Sequence, residues 1–275
     1  MHTVEKFVSS NLFKADGKQE LTQSDHERAR GHYDAGFYDG QSDSSARSAD
    51  AVVPLVHGIV QTTSVLDVGC GVGTWLTAWA AQGVDDFIGV DGDYVDRAAL
   101  RIPRERFLSR DLERPLDLGR RFDLVSTLEV AEHISPAHAS NFIESLVRHG
   151  DVVLFSAAIP GQGGTNHINE QWPSYWADLF AAHDYQPIDA IRPIIWQDRE
   201  VCYWYRQNML IFANEIGLGR VCALNSTGPL DLVHPEVMLP KERSKHFLSK
   251  IEQRILATGL PSRIKAAARG VSERR

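Results

Sequence analysis

The sequence has few cysteines, no long apolar run and no low-complexity tract. Its three cysteines stand at positions 70, 202 and 222, and this odd, scattered set argues against a disulfide framework and predicts a reducing, cytoplasmic setting. No window approaches the ~18 consecutive apolar residues of a membrane helix. The N-terminal segment also lacks the apolar centre and cleavage site of a secretory signal. The composition, 43% hydrophobic and 24% charged, is typical of a globular protein.

Charge is distributed unevenly along the chain. The last segment, Lys241–Arg275, holds ten basic residues against three glutamates, so the preceding chain carries a net charge of −14. The basic segment either contacts nucleic acid or an anionic surface, or forms a solvated helix face that balances an acidic body. Because an acidic body repels a polyanion, the sequence favours a small-molecule partner over nucleic acid.

Short apolar runs alternate with amphipathic stretches in the central part of the chain. Continuous apolar strands separated by helices predict an α/β fold with a mostly parallel sheet covered on both faces. The last two strands are joined by a segment too short for a helical crossover, which predicts an antiparallel edge pair. The predicted strands are Ser64–Val68, Asp86–Val90, Arg106–Ser109, Phe122–Thr127, Asp151–Ala157, Asp189–Pro193 and Met209–Ala213, and the helical patterns between them are Thr74–Ala81, Ala137–His149 and Trp172–His183.

Three regions follow from this pattern. Residues 1–49, which include the small-polar run GQSDSSARSAD, are predicted to form a cap or lid of one or two helices and a loop. The next stretch, ARSADAVVPLVHGIV, has a helical pattern with Pro54 predicted in its first turn. Residues 50–214 are predicted to be the catalytic domain, and residues 215–275 a basic helical extension.

The run VLDVGCGVGTW places Gly69, Gly71 and Gly73 directly after a predicted strand. A glycine-rich turn of this kind lets the backbone approach a ligand closely, at the edge of a parallel sheet where ligands bind. A nicotinamide site requires glycine or alanine at the position of Thr74, and a phosphate-binding loop requires a Lys-Ser/Thr pair. Neither is present, so the turn is predicted to hold another ligand.

Acidic residues follow the neighbouring strands. Asp91 ends the second strand, where its carboxylate is able to accept both hydroxyls of a ribose, and Gly92 leaves room for the ring. Asp111 follows the third strand and is predicted to meet an adenine amino group. Asp67, just before the glycines, is predicted to fix the turn by accepting backbone N–H bonds.

The segment LEVAEHI after the fourth strand carries Glu129, Glu132 and His133, which share one face if a helical turn begins there. A glycine-rich loop after the fifth strand carries His167. Two glutamates and two histidines suit a divalent cation with open positions for substrate oxygens. Two alternatives remain: His167 acts as a general base without a metal, or these residues stabilise loops, cap a helix or contact the cofactor.

Together these motifs resemble the class I S-adenosylmethionine-dependent methyltransferases over residues 50–214. The resemblance implies a Rossmann-like, seven-stranded sheet with helical N- and C-terminal extensions, and S-adenosyl-L-methionine as the cofactor. It also implies a set of cofactor-binding residues, namely Asp67, Gly69, Cys70, Gly71, Gly73, Trp75, Asp91, Gly92, Asp111, Leu112 and Leu128.

The Glu-x-x-Glu-His and the later His resemble a subgroup, the plant-type small-RNA 2′-O-methyltransferases. Ubiquinone-pathway O-methyltransferases also carry a Glu-His pair at this point. The resemblance implies that Glu129, Glu132, His133 and His167 bind Mg²⁺ or Mn²⁺, with Zn²⁺ as an alternative, and that the cation holds two adjacent hydroxyls. It further implies catalytic roles for His167, His133 and Glu129.

The acceptor is predicted from the aromatic segments NEQWPSYWADLF and VCYWYRQN. Trp172, Trp176 and Phe180 are predicted to share one helix face, and Arg206 to meet an anionic group of the substrate or to form a surface salt bridge. The segments GGTNHINEQWPSYW and WYRQN also resemble bacterial methyltransferases of polysaccharide and secondary-metabolite pathways.

The sequence therefore predicts O-methylation of one hydroxyl of a vicinal diol in a sugar, polyol or natural-product intermediate. The alternatives are RNA 2′-O-methylation, a metal-free methyltransferase that uses His167 as its base, and a partner subunit without activity.

Overall fold

Seven strands form one mixed sheet with β1 next to its centre. The structure is a computed structural model that describes residues 35–222 and 228–238, and side chains in 44–222 and 228–237. The strand order is β3-β2-β1-β4-β5-β7-β6, parallel from β3 to β5 and antiparallel where β7 pairs with β5 and β6. The strands are β1 (Ser64–Val68), β2 (Asp86–Asp91), β3 (Phe107–Ser109), β4 (Leu124–Leu128), β5 (Val152–Ser156), β6 (Gln186–Ile188) and β7 (Leu210–Ala213).

Helices cover both faces of this sheet, as the sequence predicts. The long helices are α1 (Ala35–Val60), α2 (Thr74–Ala81), α3 (Ala139–His149) and α4 (Pro173–Ala181), and the short ones are α5 (Arg192–Ile195), α6 (Tyr203–Asn208), α7 (Glu215–Leu218) and α8 (Pro235–Met238). Two 3₁₀ turns span Arg104–Arg106 and Ala131–His133. None of the helices in the described ranges combines the length and the hydropathy needed to cross a bilayer. The predicted Rossmann-like fold with an antiparallel edge is therefore confirmed.

The core lies in two layers, one on each face of the sheet. Successive residues of β1 point to opposite sides: Val65 packs in one layer and Leu66 in the other. Val56 of α1 and Trp79 of α2 belong to the first layer. The second layer includes Phe180 of α4, whose ring stacks on Phe212 of β7 at a centroid distance of 4.0 Å. Because both faces are buried, the strands read as continuous apolar runs.

The position predicted for Pro54 is wrong. Pro54 lies inside α1 and not in its first turn, because the helix already begins at Ala35 and includes the small-polar run. The serines of this run are accommodated by local and tertiary hydrogen bonds. The Ser48 hydroxyl donates to the Ser44 carbonyl at 2.8 Å and accepts the Cys202 backbone N–H at 3.0 Å.

The predicted strand Asp189–Pro193 is also wrong. The sixth strand is Gln186–Ile188, and the chain then turns into α5, where Pro193 lies in the first helical turn. The buried Arg192 guanidinium makes two hydrogen bonds to the Asp189 carboxylate, at 2.7 and 3.0 Å. An ion pair between residues three positions apart requires a turn, because such residues point to opposite faces of a strand. The connection to β7 also contains α6, although the edge pair is antiparallel as expected.

The aromatic face predicted for Trp172, Trp176 and Phe180 holds in part. Trp176 and Phe180 are fully buried on α4, whereas Trp172 precedes the helix and is 37% exposed. The predicted cap (1–49) and basic extension (215–275) lie largely outside the described residues. The three-domain division therefore stays a prediction.

Candidate active site

The glycine turn between β1 and α2 has three left-handed residues. Gly69, Gly71 and Gly73 have φ values of 83°, 54° and 87°, which L side chains rarely adopt. A side chain at Gly69 would in addition collide with Val130, which follows β4. The Gly69 and Cys70 amides both donate to the Val90 carbonyl, at 2.7 and 3.2 Å. The turn is thus fixed against β2 and lies next to the end of β4.

Asp91 fastens this turn. Its carboxylate lies at the end of β2, is 4% exposed, and accepts the Gly71 N–H on Oδ2 at 2.6 Å. The Oδ1 atom accepts the Gly92 N–H at 2.6 Å and the Tyr94 hydroxyl at 2.5 Å. Asp91 therefore accepts an N–H of the glycine turn, the role that the sequence predicts for Asp67. Its carboxylate also stands at the end of β2, where the sequence predicts a ribose-binding residue.

Asp67 has a different role from the one predicted. Its carboxylate accepts the Ser126 hydroxyl at 2.6 Å, and the register pairs these two residues across β1 and β4. Asp67 and Ser126 are cross-strand neighbours on one face of the sheet, and no N–H of the glycine turn is among the described hydrogen-bond partners of Asp67. Burial raises the pKa of Asp67 to about 7; the Ser126 hydrogen bond lowers this pKa, and the charge of Asp91 raises it.

The remaining predicted cofactor residues surround this turn. Cys70 is buried, and burial raises its thiol pKa well above the ordinary value, which makes it an inert side chain. The buried Trp75 donates its indole N–H to the Tyr205 hydroxyl at 3.4 Å. Gly92 lies under the Tyr94 ring, which leaves no room for a side chain there.

Beyond β3, Asp111 is exposed and lies 3.6 Å from Arg114. Leu112 beside it is half-buried, and Leu128 at the end of β4 is buried.

The turn after β4 begins with a strained residue. Glu129 has φ 57°, and its amide donates to the Ser156 carbonyl at 2.9 Å. Its carboxylate accepts the Gln162 amide on Oε2 and the Asn208 amide on Oε1, both at 3.0 Å. Burial raises the pKa of Glu129, against the lowering effect of hydrogen bonds from Asn208, Ser156 and Gln162. Three chain segments therefore converge on this side chain.

Glu132 is fully buried in the 3₁₀ turn. Neither oxygen of its carboxylate has a partner in hydrogen-bond geometry among the described residues. Its nearest polar groups are its own amide and the Ala158 amide, which lower its pKa, and the Glu129 carboxylate, which raises it. Burial and, second, the charge of Glu129 raise the pKa of Glu132 well above its ordinary value. The Glu132 carbonyl accepts the Ile168 and Asn169 amides at 3.0 Å each, which ties the second loop to the first.

Two imidazoles flank this carboxylate. The His133 and His167 rings meet edge to face with centroids 4.9 Å apart. His167 Nε2 lies 3.9 Å from Glu132 Oε1, and His167 Nδ1 lies 3.0 Å from Glu170 Oε1. His133 Nδ1 lies 3.1 Å from the Asn166 carbonyl oxygen. Burial, then the charge of His167, lowers the pKa of His133.

Three of the four predicted metal ligands therefore come together. Glu132, His133 and His167 each offer one ligand atom within 4.8 Å of the others, and they form the group with metal-ligand geometry among the residues that the structure describes. Glu129 is not part of this group; its two oxygens accept amide hydrogen bonds from Gln162 and Asn208.

Sequence reasoning missed the residues that hold these groups. Gln162, Asn208 and Glu170 were not predicted, because their roles come from contacts between separate loops. One signal was present: Glu170 stands three residues after His167, within reach of its ring. Asn208 is the last residue of α6 and stands 79 positions after Glu129 in the sequence, so no local pattern relates the two residues.

Arg206 lies in α6, which begins with the aromatic residues Tyr203, Trp204 and Tyr205. Arg206 is buried and pairs with Glu236 at 2.9 Å. Its guanidinium also donates to the Trp196 carbonyl at 3.3 Å. Arg206 therefore forms a salt bridge, which is one of its two predicted roles. The arginine is buried inside the protein, however, and not on its surface.

The sequence matches the methyltransferase domain family over residues 35–192, which is more than half of the chain. The chain belongs to this family. Its fold and sequence motifs are those of the class I S-adenosylmethionine-dependent methyltransferases. No protein with a curated description matches the sequence.

Solved structures of other methyltransferases are similar to this chain at low identity. The sugar N-methyltransferase KedS8 from Streptoalloteichus is 18% identical, with 76% of this chain and 99% of that chain covered and a TM-score of 0.48. DesVI from Streptomyces venezuelae is 15% identical, with 71% and 99% covered and a TM-score of 0.49. The methyltransferase domain of bacterial CtHen1 is 18% identical, with 61% and 97% covered and a TM-score of 0.47.

The raised pKa of Asp67 predicts a pH-dependent stability. Between the ordinary Asp pKa and about 7 the unfolded chain ionises while the folded Asp67 stays protonated, so the free energy of unfolding falls as pH rises through this window. Relative to Asp67→Asn, the wild type should lose about 4 kcal/mol between about pH 4 and pH 7 and stay level above it. Denaturant unfolding of both proteins across this range measures the difference.

The matched control is Asp178→Asn, a substitution of an exposed aspartate on α4. This control should follow the wild-type curve throughout. A constant difference between the wild type and Asp67→Asn from pH 4 to pH 8 would mean that Asp67 is ionised in the folded protein.

Proposed function

We propose that the protein transfers the methyl group of S-adenosylmethionine to one hydroxyl of a neighbouring pair in a small molecule, with the help of a divalent cation. The observation that carries this proposal is the Glu132 carboxylate, which is fully buried and lacks a hydrogen-bond partner among the described residues. A buried carboxylate without a partner is costly, and a cation beside it would compensate its charge.

The donor set fits a divalent cation. Glu132 contributes a carboxylate oxygen, and His133 and His167 contribute imidazole nitrogens within 4.8 Å. One carboxylate and two imidazoles suit Mn²⁺ or Zn²⁺ and tolerate Mg²⁺, and three protein ligands leave positions open for substrate oxygens. A cation bound there would supply positive charge that lowers the pKa of a neighbouring hydroxyl and orients an adjacent pair of oxygens.

The chain's own residues orient the two reactants. Asp91 is the candidate for the ribose hydroxyls of the cofactor, and the glycine turn from Gly69 to Gly73 allows close approach of its remainder. In the reaction the acceptor hydroxyl releases its proton to water and its oxygen attacks the methyl carbon. The bond from this carbon to sulfur breaks with its electron pair on sulfur, and S-adenosylhomocysteine leaves. Alignment of these atoms contributes most of the rate, because methyl transfer from a sulfonium needs little covalent assistance.

Glu129 is the candidate for keeping the first loop in place. Its amide bonds to β5 and its carboxylate accepts hydrogen bonds from Gln162 and Asn208, so that it joins the loops that carry the candidate ligands. Its strained backbone is consistent with a functional position, since strain persists where the surroundings enforce it.

A sugar or polyol is the acceptor class that the surroundings favour. Ile168 follows His167 directly and is 59% exposed, and Trp172 is 37% exposed close by in the sequence. Exposed apolar and aromatic side chains beside a polar site are typical of surfaces that pack on a sugar face. The net charge of −14 before Lys241 disfavours RNA as the acceptor.

A second candidate function uses His167 as a general base without a metal. It is favoured by the contact between His167 Nδ1 and Glu170 Oε1 at 3.0 Å, because a carboxylate behind an imidazole orients the ring of a catalytic base. The two functions differ in their response to a chelator.

The assignment of Asp91 predicts a loss of cofactor affinity. Asp91→Asn removes the charge and turns an acceptor into a donor, so S-adenosylhomocysteine should bind about 10- to 100-fold more weakly by calorimetry. Asp93→Asn, which changes an exposed carboxylate two residues away, should bind within about twofold of the wild type. Equal affinity in Asp91→Asn and the wild type would remove the assignment.

The full proposal predicts metal-dependent methylation of diols. With labelled S-adenosylmethionine, a panel of sugars, inositols and catechols should include acceptors that are methylated with Mg²⁺ or Mn²⁺ and not with EDTA. Matched deoxy analogues that lack one hydroxyl of the pair should not react. Glu132→Gln should lower the rate at least about 100-fold, whereas Glu144→Gln, on the exposed side of α3, should not change it.

The metal dependence and the requirement for paired hydroxyls are tested separately. Undiminished transfer in EDTA would favour the metal-free base, and equal rates for diols and their deoxy analogues would exclude the paired-hydroxyl acceptor.

A further inference from the structure

The Glu170 carboxylate accepts two backbone N–H groups from the loop after β5 and lies against the His167 ring of the same loop. Oε2 accepts the Gly161 amide at 2.8 Å, and Oε1 accepts the Gly163 amide at 2.7 Å. Oε1 also lies 3.0 Å from His167 Nδ1. Glu170 is not among the residues with metal-ligand geometry, and the metal-assisted function gives it no role; only the metal-free alternative uses its contact with His167.

The contact with Glu170 determines which nitrogen of His167 carries the proton. An ionised carboxylate accepts hydrogen bonds and does not donate, so Nδ1 must be the donor. In a neutral imidazole Nε2 then carries the lone pair. This is the nitrogen that lies 3.9 Å from Glu132 Oε1. The ring is confined on other sides as well: it meets the edge of His133, and a side chain at Gly164 would collide with it.

The same carboxylate also holds the backbone on either side of Gln162. The amides of Gly161 and Gly163 stand on either side of Gln162, whose side chain donates to Glu129 at 3.0 Å. Glu170 therefore fixes the backbone that directs Gln162 towards Glu129, while it also contacts the ring of His167. One side chain therefore joins the two parts of the loop after β5 that carry Gln162 and His167.

We propose that Glu170 is a positioning residue: it holds His167 in the Nδ1–H tautomer, so that the Nε2 lone pair faces Glu132, and it fixes the loop that carries Gln162. As far as it concerns a cation, this inference rests on the proposed function. The tautomer of His167 does not depend on a cation and is measurable in the metal-free protein. Partners of this kind behind a ligating histidine set its orientation and its affinity for a metal.

The competing explanation is that Glu170 only anchors the loop. A loop anchor would contribute to stability through the Gly161 and Gly163 hydrogen bonds, but its removal would leave the proton on the same nitrogen of His167. A measurement of the tautomer therefore separates the two roles where thermal stability does not.

The experiment uses the full-length protein with ¹⁵N-labelled histidine, and His167→Gln assigns the His167 signals. Long-range ¹H–¹⁵N spectra at alkaline pH, where an imidazole is neutral, distinguish the N–H nitrogen from the lone-pair nitrogen. The wild type should have the proton on Nδ1. Glu170→Ala should move His167 towards a mixture of tautomers, and Glu170→Gln should shift it less, because a glutamine oxygen still accepts one hydrogen bond.

Calorimetry with Mn²⁺ and with S-adenosylhomocysteine completes the test. Mn²⁺ should bind about 10- to 100-fold more weakly to Glu170→Ala than to the wild type, while S-adenosylhomocysteine affinity should stay within about twofold of it. The control is Glu200→Gln, in an exposed glutamate of the turn before α6, which should match the wild type in both spectra and affinities.

Two results would overturn the proposal: a wild-type protein with the His167 proton on Nε2, or a folded Glu170→Ala with unchanged tautomer and Mn²⁺ affinity. If Glu170→Ala does not fold, Glu170→Gln provides the same readout. If the wild type binds no Mn²⁺ but its tautomer responds to Glu170→Ala, the metal proposal fails and the positioning role of Glu170 stands.

Discussion

The arrangement of the site depends on one buried carboxylate that lacks a partner within the described part of the chain. Glu132 is inaccessible to solvent, its two oxygens make no hydrogen bond, and Glu129 and two imidazoles are its charged or titratable neighbours. A folded protein keeps such a group where a proton or a cation compensates the charge. The proposal of a cation and the interpretation of both histidines follow from this constraint.

Backbone contacts bring the two loops to this carboxylate. The Glu132 carbonyl accepts two amides of the loop after β5, so the peptide that carries the carboxylate also anchors the loop that carries His167. Both loops start at the carboxyl ends of adjacent parallel strands, β4 and β5. The glycine turn starts at the end of β1, on the other side of β4. The sheet order thus brings candidate cofactor residues and candidate metal ligands to one edge.

Much of this arrangement follows from local sequence signals. Apolar runs locate most strands to within a residue or two, and the three glycines locate the turn between β1 and α2 that Asp91 holds. The errors lie where tertiary contacts accompany the structure: helix α1 begins well before Pro54, and its Ser48 hydroxyl bonds to the Ser44 carbonyl and to the Cys202 amide. The amides of Gln162 and Asn208, which occupy Glu129, come from segments that no spacing rule relates to it. The hydrogen bonds of Glu129 therefore depend on contacts between distant chain segments, which local sequence patterns do not predict.

The central claim is that Glu132, His133 and His167 share a cation. Crystals of the protein grown with S-adenosylhomocysteine and Mn²⁺ test it directly, by anomalous diffraction on either side of the manganese absorption edge. We expect one anomalous peak within coordination distance of the Glu132 carboxylate and of a nitrogen from each histidine. A map with the cofactor bound and without a peak at these three side chains would contradict it.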